Sequence, residues 1–305
     1  MRNAPENTFV TPYRPAQSPQ HEEASHACSV ALLPALQEMD NLVKSSILNP
    51  LCYALNRRIA TAVAKMHRGI YLSESDALQS SSFVQLHLTD QYDQVANSYL
   101  SQLPGEYAST VASTIATFSI YSFVSNAALV RPLGETSRLR LTQDLADFEL
   151  ALEQFVFKGG TSSLSQISDG KPYAELRAVR QLLFWNMLDD KTLSPAEVAK
   201  SLLREVWVKD FRPSTLFHFL FSFAPNLLSS PHHLKRMDAG EYVGTLVKLD
   251  GSIEDGEASA WMTCMACCDA YQQRESVDGR IADGDRRISS ILMILGPELL
   301  RRRRQ

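Results

Sequence analysis

The sequence predicts an all-α fold built from antiparallel helical bundles. Apolar residues recur every three or four positions in several long segments, which is the spacing of one face of an α-helix. Runs in which Val, Ile or Thr alternate with polar residues are few, so the signals for strands are weak. Short polar turns separate the helical segments, and consecutive helices joined by short turns pack in antiparallel directions.

The composition is that of an ordinary globular protein. The 305 residues are 45% apolar and 21% charged, which provides enough apolar material for a sizeable core. A formal net charge of -4 and a pI of about 6.0 argue against non-specific binding to nucleic acid. The five cysteines are an odd number, and the sequence contains no N-glycosylation sequon. We therefore expect a chain that works in the cytosol.

The N-terminal half is predicted to contain a tail followed by three helical segments. Residues 1–25 hold four prolines and few aliphatic side chains, so we expect a disordered tail. Helical spacing then continues through residues 36–70, where Pro50 predicts a kink or a junction of two helices. A second amphipathic segment covers residues 83–103, and a third covers about 108–131.

A turn followed by an amphipathic helix is predicted between residues 123 and 156. The letters RPLG at 131–134 interrupt the preceding helix, because proline lacks a backbone donor and glycine permits backbone angles that are closed to other residues. A new helix is expected to begin near Thr136 or Ser137, whose hydroxyls are suited to cap it. Its apolar face comprises Leu141, Leu145, Phe148, Leu152 and Phe155.

Four acidic residues of this helix, Asp144, Asp147, Glu149 and Glu153, mostly fall outside the apolar face. Two carboxylates at close range are one requirement of general acid–base catalysis. However, no histidine, metal signature or glycine-rich loop accompanies these carboxylates in the sequence. We therefore expect a solvated helix face and not a catalytic pair.

The C-terminal half is predicted to contain a linker rich in Gly and Ser at 158–171 and then further helices. Ser194 followed by Pro195 is typical of a helix start. Phenylalanines at alternate positions in 217–223 resemble a strand, but the preceding Pro213 favours a helix. The expected helices cover residues 173–188, 195–206, 213–223, 239–248, 257–274 and about 280–295.

The cysteines at 264, 267 and 268, with His232 and His233 upstream, raise the possibility of a zinc site, since thiolate and imidazole are its usual ligands. These cysteines recur with aromatic residues at helical spacing, which favours burial in a core. The Gly–Lys pair at 170–171 lacks the spacing of a phosphate-binding loop. We therefore predict no catalytic, cofactor-binding or metal site.

The densest basic run is Arg301, Arg302, Arg303 and Arg304, at the end of the chain. It follows the last expected helix, which we expect Gly296 and Pro297 to close. A solvated tail is the interpretation that we favour, and contact with anionic lipid or with an acidic partner is the alternative. A nuclear import signal is less favoured, because no other basic patch accompanies the run.

Three segments resemble the fifth subunit of the conserved oligomeric Golgi (COG) complex. The first combines RPLGE at 131–135 with RLRL at 138–141, followed by an aspartate. The others are YAELRAVRQLLF at 173–184 and LFHFLFSFAPNLLSSP at 216–231. The resemblance covers roughly residues 30–300 and corresponds to the C-terminal third of family members. The chain departs from the family at 136–138, where Thr-Ser-Arg replaces the usual glycine and lysine.

The resemblance implies helical bundles that form a rod, as in the CATCHR family of tethering subunits. We expect a tail at 1–25, a long-helix bundle at 26–134, a C-terminal helical bundle at 135–300 and a basic tail at 301–305. The family's N-terminal coiled coil and first bundles have no counterpart here, so we expect a shortened relative or a fragment.

The resemblance also implies a function without catalysis or a cofactor. Family members are subunits of a Golgi vesicle-tethering complex that acts in intra-Golgi retrograde transport through protein–protein binding. The implied partners are the other COG subunits, especially the seventh, with peripheral attachment to the cytosolic face of the Golgi membrane through the complex. No nucleic acid and no small-molecule substrate are implied. The alternatives are a helical-rod subunit of another tether such as the exocyst, or an enzyme of unknown helical type.

Overall fold

A computed structural model describes residues 19–67, 82–161, 163–188, 190–224 and 283–303. Regular structure in these ranges is entirely helical, so the all-α prediction is confirmed for them. The predicted helices at 239–248 and 257–274 lie outside the described residues, as do the cysteines at 264–268 and the two histidines before them. The α-helices are α1 (Pro19–Val43), α2 (Asn49–Ala64), α3 (Phe83–His87), α4 (Thr89–Ser98), α5 (Gly105–Ala128), α6 (Glu135–Lys158), α7 (Lys171–Leu183), α8 (Pro195–Arg204), α9 (Pro213–Ser222) and α10 (Asp283–Arg303).

The chain divides into two compact units, Met1–Tyr53 and Ala54–Gln305. In the first unit, α1 begins at Pro19, so the end of the expected N-terminal tail is helical. Residues 1–18 lie outside the described ranges, and the tail remains a prediction for them. The predicted boundary between residues 134 and 135 falls inside the second unit.

The helical segment predicted around Pro50 contains a π-helical turn, Lys44–Leu48. The amide of Asn49 donates to the carbonyl of Lys44, five residues earlier, which is the π pattern. Proline at the next position has no amide to donate, so α-helical hydrogen bonding is interrupted there in any case. The chain consequently stays helical through the proline, with one wide turn before it.

Helix α5 is the central helix of the second unit. Every residue from Ser122 to Val130 is buried, because α6, α7 and α9 all pack against this helix. The rings of Phe123 in α5 and Phe148 in α6 stack with their centroids 4.2 Å apart. Apolar side chains of this kind form the core of the unit, and the largest fully buried ones include Phe83, Tyr92, Ile115, Phe123, Phe148, Phe155, Phe217, Phe219 and Phe221.

Helices α5 and α6 run antiparallel. The corner at 131–134 joins them at one end, and at the other end the hydroxyls of Ser109 and Thr161 lie 3.0 Å apart. Near the same end, Gly159 lies against Ala112 of α5, and its missing side chain lets the two backbones approach. The antiparallel packing predicted for helices joined by short turns is therefore confirmed for this pair.

The corner forms in a different way from the one that we predicted. Helix α6 begins at Glu135, and Gly134 precedes it without any side-chain cap, so the hydroxyls of Thr136 and Ser137 lie within the first turn. Gly134 has φ -74° and ψ 178°, which any residue adopts, so the conformational freedom of glycine is not what makes the turn. The peptide bond between Arg131 and Pro132 is cis.

Helices α8 and α9 begin at the residues that the sequence predicts, Pro195 and Pro213. Ser194 caps α8 through the amide of Glu197, whose carboxylate in turn accepts from the amide of Ser194. Residues 213–222 form helix α9, so the helical interpretation of the alternating phenylalanines is confirmed.

Two segments differ from the predictions. The expected Gly- and Ser-rich linker contains a structured 3-10 segment, Leu164–Gly170, whose Leu164 and Ile167 are buried in the unit. Helix α10 does not end at Gly296 but continues through Pro297 to Arg303. Proline removes one backbone hydrogen bond from a helix while its fixed φ remains helical, so the following turn still forms.

Among the described residues, no helix combines the length and hydropathy that a membrane-spanning segment requires.

The close approach at Gly159 yields a prediction about stability. A Cβ added to Gly159 lies well inside van der Waals contact with the Cβ of Ala112, and the carbonyl oxygen of Val156 is 3.3 Å from it. We expect Gly159→Ala to lower the free energy of unfolding by about 1–3 kcal/mol, because α5 and α6 must separate.

Gly134→Ala is the matched control, because a Cβ at Gly134 meets nothing within 4 Å. We expect this variant to stay within about 0.5 kcal/mol of the parent protein. Urea unfolding of both variants measures the difference, and equal effects at the two glycines contradict the packing described here.

Candidate interaction surfaces

The corner at residues 131–134 is docked onto helix α9. The amide of Leu133 donates to the carbonyl of Ser222 at 2.8 Å, and the Ser222 hydroxyl donates to the carbonyl of Ala128 at 2.8 Å. The guanidinium of Arg131 lies 2.9 Å from Nδ1 of His218 and 5.7 Å from the ring centre of Phe221. These contacts join the end of α5 to the last two turns of α9.

The contact between Arg131 and His218 defines the state of the histidine. A guanidinium only donates hydrogen bonds, so Nδ1 accepts and the neutral ring carries its proton on Nε2. His218 is 3% exposed, and this burial, followed by the nearby charge of Arg131, lowers the pKa of His218 to about 3. The imidazole is therefore uncharged at neutral pH and serves as a packed acceptor.

A buried ion pair lies beside α5, between α7 and the residue that precedes α9. Arg212, which precedes α9, donates from Nε to both carboxylate oxygens of Glu175 in α7, at 3.0 and 2.9 Å, and its amide donates to the same group at 3.1 Å. The guanidinium also donates to Ser125 Oγ at 2.9 Å and stands 4.6 Å from the ring centre of Tyr121. Arg212 therefore joins α5, α7 and α9.

Burial and charge oppose each other at Glu175, which is 1% exposed. Burial raises the pKa of Glu175, and the charge and hydrogen bonds of Arg212 counteract that rise without cancelling it. The burial of Glu175 therefore has a structural explanation, because all three of its hydrogen bonds with Arg212 hold helices together.

The carboxylates of α6 do not form a uniform solvated face. Asp144 is fully buried and accepts the backbone amide of Phe83 at 2.8 Å, at the start of α3. Glu149 accepts from the Tyr173 hydroxyl and from Arg180 at 2.7 Å. The solvated-face prediction was therefore wrong for Asp144, which follows Leu141 by three residues and so lies on the apolar side of the helix.

A cleft of about 660 Å³ opens where α7, the segment before α9 and the end of α10 meet. It is lined by Tyr121, Lys171, Glu175, Phe211, Arg212 and Leu299, among others. The carboxylate of Glu175 in its wall is engaged by Arg212, and the charged residues Asp169, Lys171, Lys209 and Asp210 also line the cleft. Within the described ranges, no cluster of three His, Cys, Asp or Glu side chains is arranged to hold a metal ion.

The basic run is only partly described. The backbone of Arg301, Arg302 and Arg303 continues helix α10, and Arg304 lies outside the described residues. The interpretation of this run as a lipid or partner contact therefore remains a prediction. The cysteines and histidines considered for zinc lie outside the description as well.

The residues that sequence reasoning missed are Glu175, Arg212 and His218. Glu175 and His218 are polar residues inside apolar helical patterns, which is the signal that marks a buried polar contact, and Arg212 directly precedes the helix that begins at Pro213. The pattern does not identify the partner, because the paired residues are separated by 37 and 87 positions.

These contacts define an α-helical scaffold whose buried polar groups hold helices together. Comparison with curated proteins finds two relatives, both named conserved oligomeric Golgi complex subunit 5. The one from Arabidopsis thaliana is 32% identical over 149 residues, which are 49% of this chain and 15% of the relative. The one from Mus musculus is 30% identical over 207 residues, which are 66% of this chain and 22% of the relative.

The predicted resemblance to the fifth COG subunit is thus confirmed as sequence similarity. The aligned part of the chain spans less than a quarter of the length of either relative. No protein-family profile matches the chain, and no solved structure matches it.

The buried imidazole of His218 predicts a specific pH dependence. The pKa of histidine in an unfolded chain is near 6.5, whereas that of His218 in the fold is lowered to about 3. Below pH 6.5 the unfolded state therefore takes up a proton that the folded state does not. We expect this group to remove about 2 kcal/mol from the free energy of unfolding between pH 7.5 and pH 5.

His218→Asn keeps an acceptor near the position of Nδ1 and removes the titration. We expect the variant to lose about 2 kcal/mol less than the parent protein over this pH range in urea unfolding. His87→Asn is the control, because His87 is only partly buried and the steep acid loss should persist in this variant. The same acid loss in His218→Asn as in the parent protein rules out the buried neutral imidazole.

Proposed function

We propose that this chain is a subunit of a Golgi vesicle-tethering complex and acts in intra-Golgi retrograde transport by protein–protein binding. The observation that carries the proposal is the similarity to conserved oligomeric Golgi complex subunit 5 from a plant and from a mammal. The all-helical fold supports it, because tethering subunits of this kind bind through the faces of long helices.

The polar groups of the second unit support binding and not catalysis. Asp144, Glu175 and His218 are buried titratable groups of its core, and each is hydrogen-bonded to a group from a distant part of the chain. An active site instead holds titratable groups that face a substrate. The role of these three residues is to hold the scaffold in one arrangement.

We propose that the partners are the other COG subunits, especially the seventh, and that the complex brings the chain to the cytosolic face of the Golgi membrane. The chain then needs neither a cofactor nor a small-molecule substrate. The run Arg301–Arg304 is a candidate contact with anionic lipid or with an acidic partner, and the absence of a span among the described helices accords with peripheral attachment.

Co-purification tests the assignment to this complex. We expect the full chain, expressed with an affinity tag in its own cells, to recover the other COG subunits, with the seventh recovered most strongly. Recovery of exocyst subunits instead supports another tether. A lone monomer that carries a tightly bound metal or cofactor supports an enzyme and overturns the proposal.

Loss of the chain is expected to mislocalise Golgi glycosylation enzymes, because retrograde vesicles that carry these enzymes then fail to reach their cisternae. Fluorescence microscopy of tagged enzymes in a deletion strain is the measurement, and re-expression of the chain is the control. Enzymes that keep their normal Golgi distribution in the deletion strain count against a role in retrograde transport.

A further inference from the structure

Two half-buried tryptophans share one carboxylate in the second unit. Trp185, just after α7, donates from its indole Nε1 to Oε1 of Glu205 at 3.3 Å. Trp207 donates from its own Nε1 to Oε2 of the same carboxylate at 3.1 Å. The two rings meet edge to face, with their centroids 6.5 Å apart. This group therefore joins the end of α7 to the segment that follows α8.

A row of aromatic rings anchors the group to the core. The ring of Trp207 meets that of Phe211 edge to face at 6.1 Å, and the ring of Phe211 meets that of Phe219 in the same way at 6.3 Å. Phe219 is fully buried in α9. Because these contacts fix Trp207 before any partner arrives, little conformational entropy is lost when a partner binds there.

Large apolar side chains open to solvent flank the two tryptophans. Phe184 and Val206 are their neighbours in sequence and are 56% and 72% exposed. Met187 is 39% exposed, and its Sδ accepts from the hydroxyl of Ser201 in α8 at 3.0 Å. We call this set the tryptophan surface, and it comprises Phe184, Trp185, Met187, Glu205, Val206 and Trp207. Aromatic residues and methionine are enriched where proteins bind one another.

The carboxylate of Glu205 lacks a cation. Both of its side-chain contacts are neutral indole N–H groups, and no lysine or arginine in the described part of the chain forms an ion pair with it. Exposed Arg204 precedes it directly in the chain and is not paired with it. Since the rings take part of its hydration, a cation brought by a partner gains more at Glu205 than at an open surface.

Two other carboxylates of this unit indicate which cation fits. Glu175 is paired with Arg212, whose guanidinium stands 4.6 Å from the ring centre of Tyr121. Glu149 accepts from a tyrosine hydroxyl and from Arg180 at 2.7 Å. In both places the carboxylate meets an aromatic residue and an arginine, and the tryptophan surface lacks only the arginine. A guanidinium binds a carboxylate through two parallel hydrogen bonds and stacks on aromatic faces, whereas an ammonium is a point charge.

We propose that the tryptophan surface receives an arginine of another protein. The guanidinium pairs with Glu205 beside the two indoles, and apolar neighbours of that arginine cover Phe184 and Val206. This inference rests on the proposed function, because it takes the other protein to be a subunit of the same complex. An anionic membrane is disfavoured as the partner, since a carboxylate at the centre of the surface repels anionic head groups.

Photo-crosslinking identifies what covers the surface. Benzoylphenylalanine is placed singly at Val206 and, as a control, at exposed Gln143 of α6 in the full chain produced with the other COG subunits. We expect Val206 to crosslink to a segment of another subunit that contains an arginine, and Gln143 not to reach that segment. A crosslink from Val206 to a segment without arginine, to lipid or to this chain itself overturns the proposal, as does the absence of a crosslink in a recovered complex.

Charge reversal then tests the pairing. Glu205→Arg, and separately the change of the crosslinked arginine to Glu, should each reduce recovery of the partner at least about tenfold, because each sets like charges against each other. Combining the two changes should restore recovery to within about threefold of the parent complex. Glu106→Arg, at an exposed carboxylate in the first turn of α5, is the control and should leave recovery unchanged.

The combined variant separates binding from a merely structural role of Glu205. If Glu205→Arg acts only by releasing the two tryptophans, a change in the partner does not restore recovery, and the proposal is wrong. Circular dichroism checks that each variant keeps its helical content, and the crosslink from Val206 decides the matter if Glu205→Arg does not fold.

The two levels of the proposal fail in different ways. If the unaltered chain recovers no COG subunit, the proposed function is wrong. If the unaltered chain recovers them and folded Glu205→Arg recovers them equally well, the function stands and the inference about the tryptophan surface is wrong.

Discussion

The second unit depends on the contact of Arg212 with Glu175. This buried ion pair joins three helices, α5, α7 and α9, at one point. Taking a carboxylate out of water is costly, and here the cost is offset only by close geometry: both oxygens accept from Arg212, whose guanidinium also reaches α5 at Ser125. Removing one member of such a pair leaves an unbalanced buried charge, which costs about 3–5 kcal/mol. The pair thus permits one arrangement of α5, α7 and α9 and penalises the alternatives.

The contact of Arg131 with His218 also joins the end of α5 to α9, and the two contacts differ in their chemistry. Burial raises the pKa of Glu175 against the opposing charge and hydrogen bonds of Arg212, whereas burial and the charge of Arg131 both lower the pKa of His218, which remains neutral. Both arginines lie beside aromatic rings, Tyr121 and Phe221, which compensate part of their lost hydration.

Residues of these contacts lie in the three stretches of sequence that resemble the fifth COG subunit. RPLGE contributes Arg131, the segment at 173–184 contributes Glu175, and the segment at 216–231 contributes His218 and Ser222. The three stretches are distant along the chain and meet around the end of α5. At the corner, the backbone of Leu133 and the side chain of Arg131 contact Ser222 and His218 of α9.

The apolar period was sufficient to predict the helices of this fold but not their polar contacts. It located α5, α6, α8 and α9 because burial of one face dominates the energy of an amphipathic helix. It failed at Asp144, where a carboxylate on the apolar side is retained because the first amide of α3 needs an acceptor. It also failed to predict the backbone conformation at Gly134 and the continuation of α10 through Pro297. The conformation at a turn or a proline depends on the residues that pack against it, and these residues lie elsewhere in the chain.

The two units differ in how completely they bury their apolar residues. The core of the second unit is closed around α5, with its polar groups satisfied by neighbouring helices. Helix α1 has the same helical period but keeps most of its large aliphatic side chains more than half exposed. Burial of such side chains is the main source of helix stability, so the contacts of α1 within the described residues contribute less to its stability than the contacts of α5 contribute to α5.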